Sequence, residues 1–279
     1  MKSTLSIFTF LVLILFADKK LSAQQHQLIK QWETDSVLKV PESVLYDKAN
    51  KVLYASNIDG DPAAVDGKGS IAKVGLDGKI ISVEWVSGLN SPKGLGLYKN
   101  TLWVADIDHV VSIDVPSGKI TNRIKIEGAL FLNDVTIDKK GIVYVSDSRT
   151  KKVHRVEKDK PTLFLENLQG PNGLLAKDGQ LLVLDNGGLY KVGTDKKPVK
   201  LVDGMEGGTD GVEHVQGNEY VVSCWGGVIY YVNTDGSRQM LLDTRDQKIN
   251  SADIGYDAVN RIVYVPTFYK NSVVAYQLK

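Results

Sequence analysis

The chain has 279 residues, 43% hydrophobic and 24% charged, with 26 glycines and 8 prolines, a balance that excludes a disordered or collagen-like protein. Its formal net charge is +1 and no Lys/Arg cluster stands out, so the basic footprint of a nucleic-acid binder is missing and no nucleic-acid partner is expected. The single cysteine can form neither an internal disulfide nor a thiolate metal cluster, which excludes structural zinc of that kind.

In chain order, the first element is a targeting segment. Met1-Lys2 supplies a short positive region, Leu5 to Ala17 a largely apolar run, and Leu21-Ser22-Ala23 small residues for cleavage. The run is too short to span a bilayer, which takes about 20 apolar residues. Residues 1–23 therefore read as a secretory signal, and no cysteine follows that a lipid could modify. The expected product is an exported protein, periplasmic or secreted, near neutral and without a membrane span once the signal is cleaved. Residues 24–279 are expected to form one domain. The sequence leaves the oligomeric state open.

Next comes Leu28-Ile29-Lys30-Gln31-Trp32, and after it a repeat. One strand recurs six times, as Val52–Asn57, Leu102–Asp106, Val143–Asp147, Leu181–Asp185, Tyr220–Cys224 and Ile262–Thr267. Each copy is β-branched or aromatic, each follows a polar turn, and most precede a second alternating strand such as Val228–Val232. Upstream of the copies stand markers: Pro41-Glu42-Ser43, Pro92-Lys93-Gly94, Asn133-Asp134-Val135, Pro171-Asn172-Gly173, Thr209-Asp210-Gly211 and Ser251-Ala252-Asp253. The markers recur every 38–42 residues, except that the first unit is longer by about ten. An all-strand period near 40 without helical periodicity predicts an all-β, six-bladed β-propeller of four-stranded antiparallel blades. The last unit ends after its third strand, so Leu28–Trp32 is expected to supply its outer strand and close the ring, removing the open edge.

Propeller geometry brings the markers together. Each enters an innermost strand, so Glu42, Asn133, Asn172 and Asp210 are expected around one mouth of the central channel. They offer only oxygen donors, two of them anionic, a set that suits a hard cation such as Ca2+, with Zn2+, Mg2+ or Mn2+ as alternatives. Taken singly, Asn or Asp before Gly satisfies a turn's own backbone. Four at one repeat position indicate a shared site, and Pro92-Lys93 shows that the fold accepts other residues there.

The strings PESVLYD (41–47), LNDVTID (132–138), PNGLLA (171–176) and TDGVEH (209–214) resemble the family of senescence marker protein (regucalcin), gluconolactonase and luciferin-regenerating enzyme. The resemblance spans about Val40 to the C-terminus and implies a six-bladed propeller with one divalent metal in its channel. It implies metal ligation by Glu42, Asn172 and Asp210, with Asn133 near or on the metal. It places Asn133 and Asp134 near metal and substrate. Metal-assisted hydrolysis of a lactone or ester follows as the expected activity, with a small-molecule ester or lactone as partner and Asp210, then Asp134, as the water-activating base. One departure stands out: where sugar-lactone members carry an arginine two residues before that asparagine, this chain has Phe131. A phenyl ring cannot replace a guanidinium fork, so a less polar substrate is expected.

His109, in a turn on the channel face, is a further substrate-binding candidate, since histidine titrates near neutrality. His154, His214 and Cys224 read as packing residues, and Asp106, Asp147 and Asp185 as caps of the turns that follow them. Asn57 to Asp61 begins like an EF-hand loop, but Pro62 stands where glycine is needed and Lys68 where the last glutamate belongs. Asn57–Gly69 is instead the long connection of the first blade and is expected to cover part of the channel. Two alternatives remain: a non-catalytic exported propeller that binds a protein, glycan or small ligand, and a strictosidine-synthase-like propeller.

Overall fold

The computed structural model describes residues 25–279, so the signal expected at 1–23 lies outside the described residues. Among the described residues twenty-four strands form six four-stranded antiparallel sheets, arranged as a six-bladed propeller. The innermost strands are Pro41–Asp47, Pro92–Tyr98, Leu132–Ile137, Pro171–Lys177, Thr209–Gln216 and Gly255–Asp257. Five blades use strands in sequence order. The sixth takes Leu28–Glu33 as its outer strand, antiparallel to Val273–Leu278, with Leu28 opposite Leu278. Gln27 and Lys279 exchange both backbone hydrogen bonds at 3.0 Å, so the two chain ends close the ring as expected. No helix among the described residues is long and apolar enough to cross a membrane.

The apolar residues alternate along the strands and bury their faces between neighbouring blades. Leu182, Leu184 and Leu189 of the fourth blade meet Val222, Val228 and Tyr230 of the fifth, and a comparable cluster fills every other blade interface. At the seam between sixth and first blades, Trp32 packs against Tyr264 with ring centroids 5.9 Å apart, beside Leu53, Ala55 and Val273.

The start of the inner strands departs from regular pairing. Register shifts at Pro41/Ser43, Pro92/Leu95, Leu132/Val135, Pro171/Leu174 and Thr209/Val212 place a bulge on five of the six markers. A bulge leaves an inner-strand N–H without its ladder partner, and buried donors must find another. In three blades a serine of the second strand accepts it: Ser56 from Ser43, Ser146 from Asp134 and Ser223 from Gly211, at 2.8–2.9 Å. This explains why Ser recurs just before the end of the second strand. The same crowding explains Gly173, where a Cβ would lie 2.1 Å from the carbonyl oxygen of Asp210 in the next blade.

Removing the residues before Thr34 should leave the sixth blade with three strands and expose the edge of Val273–Leu278. The shortened chain is expected to melt at least several degrees lower and to aggregate on concentration. Calorimetry and light scattering check this; equal melting and dispersity would show that the outer strand is dispensable.

Candidate functional site

The second residue of each of the first five inner strands points to the same end of the channel. Glu42, Lys93, Asn133, Asn172 and Asp210 all line one cavity of about 230 Å3, together with Ile58, Pro62, Phe131, Trp225, Phe268 and Tyr269. Side chains alternate along a strand, so the third residues face lower in the channel. There Asp134 and Asp253 line a separate space with Thr136 and Glu213.

Four of the expected metal ligands thus meet. Asn172 donates through Nδ2 to Asp210 Oδ1 at 2.9 Å. Asn172 Oδ1 and Glu42 Oε2 are buried and have no hydrogen-bond partner. Asn133 is oriented by Ser148, whose Oγ accepts from Nδ2 at 3.0 Å and donates to the Pro171 carbonyl at 2.7 Å. No group of three or more His, Cys, Asp or Glu side chains placed to hold a metal occurs among the described residues. The set here is two carboxylates and two amide oxygens, hard donors of the kind a Ca2+-class ion takes.

Charge points the same way. Burial, then repulsion from Asp210, raises Glu42 well above the usual carboxylate range, and burial with the nearby Asp253 does the same to Asp134 and Asp210. Burial pushes Asp253 up to about 7, and burial with Asp253 pushes Glu213 up to about 8. A single ammonium, Lys93, stands among these carboxylates. It is 1% exposed, it donates to the Ser91 carbonyl at 2.9 Å, and burial pulls it down to about 8 against the attraction of Glu42.

Lys93 stands at the same repeat position as the oxygen donors, a signal present in the sequence as Pro92-Lys93-Gly94. It lies 4.3 Å from the centroid of Phe131, and Arg149, from the turn after the second strand, lies 4.7 Å from the same centroid. A guanidinium, that of Arg149, thus stands beside Phe131. The opposite wall is aromatic. Trp225 stacks edgewise on Phe268 at 5.6 Å and on Tyr269 at 6.3 Å, and Phe268 meets Tyr269 at 4.7 Å. Phe268 holds φ at +50°, a left-handed conformation costly for an aromatic residue, and is pinned there by Ile58 and Ala252. Sequence reasoning missed this wall, since nothing in Thr267-Phe268-Tyr269-Lys270 announces such a turn.

The long connection of the first blade lies on this face, as expected. Ile58 and Pro62 line the cavity, and Ser91 ties the loop down by donating to the carbonyls of Asp61 and Ala64 at 2.9 and 3.0 Å.

Other candidates lie elsewhere. Asp134 does not reach the upper cavity; its carboxylate accepts from Val135 N at 2.6 Å and from Leu174 N of the next blade at 2.5 Å. His109 does not line the cavity either, and pairs with Asp108 at 2.6 Å. His214 contacts the Gly217 carbonyl at 3.0 Å, His154 is buried, and burial pushes the Cys224 thiol up to about 12. Asp106 and Asp185 hold the turn that precedes their own inner strand, through the N–H groups of Asn90 and Ser91 and of Gln169 and Gly170, rather than the turn that follows. Asp147 holds both, through Leu130 on one side and Arg149 and Thr150 on the other.

No protein-family model and no curated protein sequence matches the chain. Solved structures do. A candidate gluconolactonase superposes with a TM-score of 0.69 at 15% identity, covering 91% of this chain and 92% of its own. A streptogramin B lyase superposes with a TM-score of 0.65 at 12% identity, covering 91% and 98%. A catalytically inactive virginiamycin B lyase from Staphylococcus aureus with quinupristin, its histidine changed to alanine, gives 0.63 at 12%, covering 91% and 99%. The chain is thus distantly similar in structure to gluconolactonase-type and virginiamycin B lyase propellers, and at such identity the likeness shows the fold alone.

The unpartnered oxygens predict cation binding that stabilises the native state. At a Ca2+ concentration 100 times Kd the gain is about 2.7 kcal/mol, a rise in Tm of roughly 5–10 °C. Glu42→Gln and Asp210→Asn should each remove most of that rise while still melting cooperatively. Calorimetry on metal-stripped protein decides it, and indifference to Ca2+, Mg2+, Mn2+ and Zn2+ alike would exclude the site.

Proposed function

We propose that the protein is a metal-dependent hydrolase of small lactones or esters, exported from the cytoplasm. The observation that supports this most directly is the convergence of two orphaned buried oxygens, Glu42 Oε2 and Asn172 Oδ1, with Asp210 at the floor of a cavity that has an aromatic wall. In this reading Glu42, Asn172 and Asp210 would hold a hard divalent cation, Ca2+ first, with Asn133 beside them. When bound, that ion supplies Lewis-acid polarisation of an ester carbonyl.

The chain's own groups supply the rest. Asp210 is the proposed proton acceptor for the attacking water, and the Asn172 amide on one of its oxygens fixes the carboxylate plane. Asp134 has both oxygens engaged by backbone N–H groups, so its proposed part is to hold the third and fourth blades in register beneath the site rather than to move a proton. Lys93 has two N–H bonds beyond the one given to Ser91, available to an oxygen that gains charge as the carbonyl is attacked. The aromatic wall of Trp225, Phe268 and Tyr269 excludes water from one side and accepts an apolar acyl or aryl group.

A lyase reading has less support here, because the inactive lyase in the comparison was made by changing a histidine and no histidine lines this cavity. A binding module is the second reading. It draws on the exposure of Trp225 and Tyr269, 42% and 58%, at the mouth of the site.

Hydrolysis of phenyl acetate or an alkyl lactone should proceed with kcat/KM at least about tenfold above that for gluconolactone, corresponding to about 1.4 kcal/mol in transition-state binding. Asp210→Asn should lower it by at least about 100-fold without loss of cooperative melting. Absence of metal-dependent turnover across esters and lactones would favour the binding module.

A further inference from the structure

Two cations lie close to the ring of Phe131, Lys93 from the cavity lining and Arg149 from the exposed turn beside it, and neither is neutralised by a direct ion pair. Lys93 Nζ and Arg149 Cζ lie 4.3 and 4.7 Å from the Phe131 centroid. Among the described residues the Arg149 side chain has no hydrogen-bond partner and no carboxylate within ion-pair distance, although twelve other salt bridges of Lys or Arg form on this molecule. A guanidinium stacked on a phenyl face keeps its N–H edge free, and that edge matches a planar carboxylate in two parallel hydrogen bonds. Lys93 adds a second charge from inside the cavity, where burial strengthens any charge-assisted bond it makes.

We propose that Arg149 and Lys93 form an anion subsite and that the natural ligand carries a carboxylate of its own together with an aromatic ring. The carboxylate sits beside Phe131, and the ring lies against Trp225 and Tyr269 across the cavity. Size limits the ligand: the space of about 230 Å3 admits a single-ring compound. The inference deepens the hydrolase reading, since it rests on that reading for what happens to the ligand after it binds.

Binding and turnover separate the two ideas. The full chain, metal-stripped and then with Ca2+, is titrated calorimetrically with phenylacetate and with its neutral isostere phenylacetamide. Hydrolysis is followed in parallel for 4-carboxyphenyl acetate and 4-carbamoylphenyl acetate. Phenylacetate is expected to bind at least about tenfold more tightly than the amide, with or without Ca2+, and Arg149→Gln to remove that preference. The carboxylated ester should be turned over at least about tenfold faster in kcat/KM than the carbamoyl one, and Arg149→Gln should bring the ratio close to one. Arg149 is exposed, so its replacement is not expected to disturb folding; Lys93→Met is the second variant, read only if it melts cooperatively. Arg149-dependent binding of phenylacetate with neither ester hydrolysed would uphold the anion subsite and sink the hydrolase reading. Equal affinity for acid and amide, a preference indifferent to Arg149→Gln, or phenylacetate binding only when Ca2+ is present would overturn the subsite while leaving hydrolysis standing.

Discussion

Carboxylates buried along one channel repel each other, and each loses hydration worth several kcal/mol that something must offset. Glu42, Asp134, Asp210, Glu213 and Asp253 share this channel with one ammonium. In the lower part the chain supplies partners to two of the three carboxyls. Asp134 takes two backbone N–H groups, and Asp253 takes the Ser43 hydroxyl at 2.5 Å. At the upper end Asp210 takes an amide, yet Glu42 Oε2 is left as the one buried carboxylate oxygen without a partner among the described residues. The missing hydrogen-bond partner is thus local, and it coincides with the cavity.

This localisation follows from the repeat. Placing polar residues at the second position of successive inner strands would line any propeller's upper channel, and bulges at the same positions turn them inward. Fold and floor were legible in the sequence for that reason: the period named the blades, and equal repeat position brought Glu42, Asn133, Asn172 and Asp210 together across 168 residues. The closing strand was legible too, because an unpaired three-stranded last unit requires one. Asp134 was less so. Its neighbour position suggested the site, but one step along a strand reverses the direction of a side chain, and the carboxylate serves the blade interface instead.

The walls were not legible, and the reasons are physical. Phe131 was read as an apolar surface because the residue itself lacks a fork; the guanidinium beside it comes from Arg149, 18 positions on, through a turn held by Asp147. Lys93 was set aside as a tolerated exception, although its position in the repeat was the signal. The aromatic wall depends on a left-handed Phe268, which only packing against Ile58 and Ala252 sustains, and no local pattern announces a conformation that tertiary contacts impose.

Ring closure and site chemistry are joined at one place. The sixth blade is assembled from both chain ends, and its inner segment meets the first blade through Asp253 N to the Glu42 carbonyl at 2.9 Å, Val44 N to the Asp253 carbonyl at 3.2 Å, and Ser43 to Asp253. Glu42 is therefore the donor nearest the seam, while Asn172 and Asp210 belong to the fourth and fifth blades. A cation shared by these three would connect opposite sides of the channel across the part of the ring that no continuous meander secures. Binding energy at the site would then oppose opening of the seam, so loss of the cation should loosen the sixth blade before the second or third, whose inner strands contribute only an amide and an ammonium.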